Sequence, residues 1–464
     1  MNVAETPILD ALIHTVERLR VPLHVPGHKQ GRVLPSAFAT WLGQAAKLDL
    51  TELPGLDNLH QPDGCILASQ QLTAAYYGSD QCLYSVNGSS AGIMAAILAC
   101  AEGRKVLFAG PFHQSAWRGL VLADAEPVFL PSRFHAEQCR HEPPSPEHLR
   151  QALAAHPDTA AVFVTSPTYH GVVADVATLA EICHSEGVPL IVDEAHGAHF
   201  GLIEAFPKHS VAAGADVVIQ SVHKMLPGLT QTAWVHVTGD LVSAATLERW
   251  LLTLQTTSPS YLLLASLDVA QAWLREEGPR VATETMNVLA EAGLLPSEMP
   301  FADPLRHWLP TGSLELSMTI RSALQESGIY VELADGLGVL SVFGFGITRA
   351  EVSRYLSVVN RVLQQTPTSR ATGFVPYELE QMGTLAIRPR RAFGKPAEWV
   401  PVQKALGRVS AGMVTPYPPG VPVVVPGQRL DEPCVQMLTA LSDMHSDIHG
   451  MRDGLIAVLQ DETT

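Results

Sequence analysis

The sequence predicts an α/β protein whose main unit is a mostly parallel sheet, with its strands separated by helices. Between residues 65 and 240, β-branched-rich runs alternate with helical stretches: KVLFAG (105–110), AAVFVTSP (160–167), VPLIVDEAH (188–196) and DVVIQSVHK (216–224). Each run is apolar on both faces and ends in small or polar residues, which suits strands buried inside a parallel sheet. The chain has 464 residues, of which 47% are hydrophobic, enough to bury a large core and to exclude wholesale disorder.

Taken in order, the chain opens on MNVAETPILDALIHTVERLR, an amphipathic helix carrying Glu5, Asp10 and Glu17. It lacks the basic start and apolar run of a secretory signal, and its acids argue against a transit peptide. Residues 21–64 are rich in Pro and Gly and read as an ordered, irregular arm, so 1–64 is set apart as an N-terminal arm. Residues 65–290 form the large domain, closing with a long helical stretch over about 240–291. GIYVEL (328–333) and LGVLSVFGFG (337–346) then read as two strands, followed by the helix TRAEVSRYLSVVNRVLQQ, which makes 291–365 a small α+β domain. A Pro/Thr linker, QQTPTSRATG (364–373), leads into a C-terminal domain over 366–464. That domain carries the Pro/Gly cluster VTPYPPGVPVVVPGQ (414–428) and a closing amphipathic helix.

Composition narrows the function. The formal net charge is −16, against the clustered Lys/Arg that sequence-independent nucleic-acid binding requires. Only 16% of residues are charged, below the roughly 25% of an average soluble chain. That fits a surface partly buried against another subunit, and equally a large Ala/Leu/Val-rich monomer. The six cysteines form no CxxC pair, and the longest apolar stretch, 91–101, is too short to span a bilayer. A soluble, cytoplasmic protein in a reducing compartment is expected.

In parallel sheets ligands sit beyond the carboxyl ends of the strands, and the reactive residues fall there. Lys224 follows DVVIQ within SVHKM. A lysine at a sheet mouth, partly desolvated, suits a Schiff-base role; a solvated loop lysine is the plain alternative. Asp193 ends VPLIVD 31 residues earlier. A carboxylate at a buried strand end needs a cationic partner. A protonated pyridine nitrogen would be one, and capping of the next helix is the alternative. YSVNGSSAG (84–92) precedes an apolar helix, so Gly88, Ser89 and Ser90 would offer N–H groups and hydroxyls to a phosphate, or form a simple turn. His113 follows KVLFAG and could stack on an aromatic ring or be an ordinary loop residue. DEAHGAH (193–199) resembles a helicase signature, but no GxxxxGK[ST] accompanies it. His196 and His199 with Glu194 make a poor zinc signal without a convincing further ligand.

Together the segments VPGHKQG, LTELPGLDNLHQPDG, NGSSAG, PFHQSAWRGL, TSPTYHGVVADV, VDEAHGAHFG, SVHKMLPGLTQTAWVH, QTTSPSYLLLASLDVA and VTPYPPGVPVVVPG resemble, in this order, the Orn/Lys/Arg decarboxylase family. The similarity is densest from 20 to 270, and the length resembles that of the short members without the N-terminal wing. The resemblance implies a fold-type I (aspartate aminotransferase-like) large domain, pyridoxal 5'-phosphate as cofactor, and a homodimer, or a higher homo-oligomer, with active sites at the subunit interface. It implies decarboxylation of a basic amino acid, arginine or lysine and less readily ornithine, in polyamine and diamine metabolism. No metal is implied. At matching positions Lys224 would carry the cofactor, Asp193 would hold its ring nitrogen protonated, and His113 would stack on the ring. Ser89, Ser90, Ser221 and His223 would bind the phosphate, and His196 would sit near the ring. Thr165 and Ser166 would also line the cofactor.

Members usually read Pro-Arg-Glu-Ala-Phe where this chain reads PRRAF, with Arg391 in place of Glu. Altered activity and simple surface divergence both fit that change. Another fold-type I activity (transamination or aldol-type cleavage) and a non-catalytic relative are the competing readings. A cationic substrate side chain would need an acid, for which Glu52, Asp57, Asp63 and Glu332 are the candidates.

Overall fold

The apolar runs pair side by side as a seven-stranded sheet. The computed structural model describes residues 5–130, 133–296, 301–366, 385–416, 421–443 and 448–460. The strands lie in the order Gln81–Ser85, Ala233–Val237, Val217–Ser221, Leu190–Asp193, Thr159–Thr165, Lys105–Ala109, Glu126–Leu130. The last five run parallel, and Ala233–Val237 is antiparallel to both of its neighbours. Alternate side chains along each strand enter different cores. Val162, Val164, Leu190, Val192 and Val218 pack on one face, while Ala161, Phe163, Ile191, Val217 and Ile219 pack on the other. This two-sided burial is what a continuous apolar run encodes. The strands Gln81–Ser85, Glu126–Leu130 and Ala233–Val237 were not among the sequence expectations.

Register brings the strand ends level. Thr165 lies opposite Asp193, and Asp193 opposite Ile219, two residues before Ser221. The helix Gly88–Ala101 crosses against the sheet at Gly92, where an added Cβ would come within 2.7 Å of Val235 and 3.1 Å of Ile219. Only a bare backbone allows the helix that close, so its N-terminus reaches the strand ends.

The N-terminal helix is Pro7–Arg18, with Ile8 and Leu12 fully buried. Its first N–H groups, those of Ile8 and Leu9, donate to the Asp268 carboxylate at 2.9 and 3.0 Å. The arm that follows is largely irregular but includes two short helices, Ser36–Leu42 and Ala45–Leu48. It leaves Leu23 and Trp41 each 90% exposed, with Val21, Val25, Val33 and Phe38 also open.

Three expectations need correction. The stretch over 240–291 is three helices, Ala244–Leu254, Tyr261–Arg275 and Gly278–Glu291, because Ser-Pro-Ser and Gly-Pro interrupt the backbone ladder. In the small sheet GIYVEL contributes little, since only Leu333–Ala334 is strand. The outer partner of Gly338–Val342 is instead Arg306–Pro310. The helix Glu432–Asp443 does not close the chain, because Met451–Arg452 and Leu455–Leu459 follow and pair with each other, and Leu455–Leu459 pairs also with Ala397–Pro401. The helix Arg349–Gln365 forms as expected, started by a capping box between Thr348 and Glu351. Most of the Pro/Thr linker and the centre of the second Pro/Gly cluster lie outside the described residues. No helix among the described residues is long and apolar enough to cross a membrane.

Candidate active site

Lys224 stands on a single helical turn, Val222–Met225, that begins as the Val217–Ser221 strand ends. Its Nζ lies 3.0 Å from Nε2 of His196, in the loop after the neighbouring strand. The side chain keeps solvent access, yet the walls of its recess depress the ammonium to about 8. Desolvation is the main cause, the Arg306 cation adds to it, and Asp193 and Glu332 oppose it.

Asp193 is 3% exposed. One carboxylate oxygen accepts the Ala195 N–H at 3.1 Å, and the other accepts no hydrogen bond from the described residues. Burial raises its pKa, while Lys224 pulls it down. Glu194, the next residue, points elsewhere: it accepts from Ser210 and Gln220, and burial pushes its carboxyl up to about 7. His199 turns to Asp303, so Glu194, His196 and His199 diverge rather than converge as metal ligands.

His113 caps the helix Gln114–Ala123, its Nδ1 accepting the Ser115 N–H at 3.2 Å. Burial, with help from the Lys224 and Arg118 cations, lowers its pKa to about 4. It is therefore a neutral, flat ring at neutral pH. Ser221 Oγ donates to Ser89 Oγ at 2.9 Å, tying the strand end to the first turn of Gly88–Ala101. Asn87, at the cap position of that helix, makes no capping side-chain bond; the Gly88 N–H donates to the Gln231 carbonyl at 2.8 Å, which leaves the N–H groups of Ser89 and Ser90 for a ligand. Ser90 lies in the same turn, half-buried. His223 Nδ1 lies 3.0 Å from the Thr232 carbonyl, which holds the ring in place, and burial lowers its pKa. Thr165 Oγ1 is buried with no hydrogen-bond partner among the described residues. Ser166 Oγ is engaged locally, accepting the Ala174 backbone N–H at 3.0 Å.

Sequence reading missed a second tier. Arg306, buried at the start of the small sheet, donates to His196 Nδ1 and, at 2.9 Å, to the Tyr169 carbonyl. The Tyr169 hydroxyl donates to Glu332. The only signal for Arg306 was its place in an otherwise apolar segment, ADPLRHWLP. Among the candidate acids, Asp57 is committed elsewhere. It is 5% exposed and accepts N–H groups from Asn58, Asp63, Gly64, Ile66 and Leu67, capping the helix Cys65–Tyr77. Glu332 alone of the four joins the electrostatic surroundings of Lys224.

This donor set fits a flat, phosphorylated aromatic ligand with a basic nitrogen. A carboxylate oxygen of the buried Asp193 that accepts no donor among the described residues, a helix start carrying two serines, a neutral ring and an amine surround one end of the sheet. Residues 6–294 match the description Orn/Lys/Arg decarboxylase, major domain, and residues 378–462 match its C-terminal domain. The chain belongs to the Orn/Lys/Arg decarboxylase family. The decarboxylase is 33% identical to an arginine decarboxylase of Bacillus subtilis, covering 99% of this chain and 98% of that one. It is 30% identical to an arginine decarboxylase of Bacillus anthracis, over 98% and 97% of the two chains. In three dimensions the decarboxylase resembles the Francisella novicida lysine decarboxylase, with a TM-score of 0.81 at 21% identity, over 99% of this chain and 82% of that one. The fold is that of the fold-type I pyridoxal-phosphate enzymes, and the decarboxylase family uses this cofactor on basic amino acids.

Proposed function

We propose that this decarboxylase acts on arginine, releasing CO2 and agmatine, which would feed polyamine metabolism. The observation that carries the reading is the placement of Lys224 and Asp193 at adjacent strand ends. Bound there, pyridoxal phosphate supplies an electron sink for the pair left behind as CO2 departs. Lys224 anchors the cofactor, and Asp193 supports a positive charge on its ring nitrogen. Ser89, Ser90, Ser221, His223 and the start of Gly88–Ala101 would hold its phosphate, and His113 would stack on its ring. The Lys224–His196 pair is placed to hold the proton that replaces the carboxyl group on the substrate carbon. Thr165 and Ser166 border the cofactor.

Arginine is favoured by the two full-length relatives above and by Glu332. That side chain is exposed and bonded to Tyr169, so it can offer a carboxylate edge to a guanidinium. Holoenzyme supplied with arginine, lysine and ornithine is expected to give its highest kcat/KM on arginine, with agmatine as product. No product from any of the three would remove the reading. Glu332→Gln is expected to raise KM for arginine about 10–100-fold, the worth of a charge-assisted hydrogen bond, while cofactor absorbance stays unchanged. Arg391 is exposed and makes no side-chain bond among the described residues, which supports divergence on the surface rather than altered chemistry.

A homodimer is part of the same proposal. The arm exposes Val21, Leu23, Val25, Val33, Phe38 and Trp41, a set of large apolar side chains of the kind covered in subunit interfaces. Sedimentation is expected to give twice the 49.9 kDa chain mass, and a monomer at micromolar concentration would remove this part. A cytoplasmic setting is supported by the lack of any disulfide among the described residues.

A further inference from the structure

Arg306 is a guanidinium in an unusual place. Arginine is almost never fully buried unless paired, yet this side chain is 1% exposed. Asp303 faces it at 3.4 Å, and the Tyr169 ring lies under it with 5.8 Å from its Cζ to the centroid. Asp303 is itself fully buried and held by His199 Nε2 at 3.0 Å. A continuous line therefore runs from the core to the reactive lysine: His199, Asp303, Arg306, His196, Lys224.

The donor inventory of this line fixes its protons. A guanidinium donates and never accepts. His196 Nδ1, facing Arg306, must therefore be the accepting nitrogen and carries no proton. A neutral imidazole then has its proton on Nε2, the atom 3.0 Å from Lys224. An Nε2–H can only donate, so the lysine nitrogen has to accept, which an ammonium cannot do.

We propose that Arg306 is a positioning residue that locks His196 as the Nε2–H tautomer and thereby favours the neutral, nucleophilic amine of the free Lys224 over its ammonium. The inference rests on reading Lys224 as the cofactor-bearing lysine. Burial keeps His196 well below its ordinary pKa, with the Arg306 cation adding to it, and Lys224 too whenever it is protonated, in line with a neutral ring. Around the pair stand Asp193 and Glu332, which favour the ammonium, and His113, His223 and Arg306. Tyr169 packs edge-on to the His196 ring, with centroids 5.3 Å apart.

The test is the pH dependence with which the full-length, cofactor-free chain captures pyridoxal phosphate, followed by the rise of visible absorbance. Capture by the unsubstituted chain should have its midpoint near pH 8. Arg306→Met removes both a cation and the lock on the tautomer, and each change favours the ammonium. Its midpoint should rise by about one pH unit, slowing capture about tenfold at pH 7. Arg306→Lys, which keeps a donor and the charge, should restore most of the rate. An Arg306→Met chain that melts like the unsubstituted one and keeps its midpoint would overturn the inference. Should Arg306→Met not fold, a neutron structure of the unsubstituted cofactor-free chain decides, since deuterium on His196 Nδ1 would overturn it and deuterium on Nε2 alone would support it. Failure of the underlying reading looks different: Lys224→Ala would then still develop the visible band.

Discussion

Lys224→Ala is expected to abolish the visible absorbance of lysine-bound cofactor and to cut kcat by at least about a thousandfold. The argument is geometric first. Lys224 sits at the sheet mouth opposite Asp193, and its one side-chain hydrogen bond is to His196. Its ammonium is held down to about 8, chiefly by desolvation, so an appreciable fraction is the neutral amine at neutral pH. The fold should not notice the change. The side chain is solvent-accessible and supports no packed core, so the shift in stability should stay within about 0.5 kcal/mol. Loss of both band and turnover with an unchanged melting curve therefore separates chemistry from unfolding. A band that survives would mean that another amine carries the cofactor.

Asp193→Asn should leave cofactor bound but reduce kcat by about 10²–10³-fold or more, the scale associated with losing one preorganised electrostatic contact. Asn keeps the size of the side chain and can still accept the Ala195 N–H through its carbonyl oxygen. What it loses is the negative charge that would face a cationic ring nitrogen. Unchanged turnover would refute the role. Stability should move the other way. Burial raises the folded-state pKa of Asp193. Such a carboxyl contributes most at low pH, and that contribution is lost as pH rises through the folded-state value. At neutral pH the ionised group is a liability that Asn removes, so the cofactor-free variant should melt at least as high as the unsubstituted chain. Lower turnover joined to equal or higher stability would be the mark of a residue kept for chemistry.

Four of the five parallel strands were legible because both of their faces are buried, which leaves an uninterrupted apolar run in the sequence; the fifth, Glu126–Leu130, lies at the sheet edge with Glu126, Val128 and Phe129 only half-buried. Their ends were legible for the same reason, and Asp193 and Lys224 followed from them. Arg306–Pro310 was not, because Arg, His and Trp fill three of its five positions. Arg306 pairs with Asp303 and His196, and His307 meets the Tyr355 hydroxyl at 2.9 Å, so long-range partners rather than local pattern make these residues tolerable in a strand. Asp57 looked like any acid near a turn. That its carboxylate gathers a cluster of backbone N–H groups depends on chain curvature, which no spacing rule encodes. Choosing Glu332 from four acids likewise required knowing that the small sheet folds back toward Tyr169.

The proposed cofactor ligands and the proposed substrate acid come from separate parts of the chain. Residues 89–224 supply the former, with Ser89 and Ser221 tied together by a hydrogen bond, whereas Glu332 hangs from the edge of the small sheet with a tyrosine hydroxyl as its partner. Exchanging Glu332 therefore frees one tyrosine hydroxyl and leaves the sheet itself untouched. Under the proposed assignment, selection can retune which amine is made by editing that loosely held position, without risk to the costly apparatus beneath it. Such a layout gives a lineage room to drift among basic substrates while its chemistry stands still.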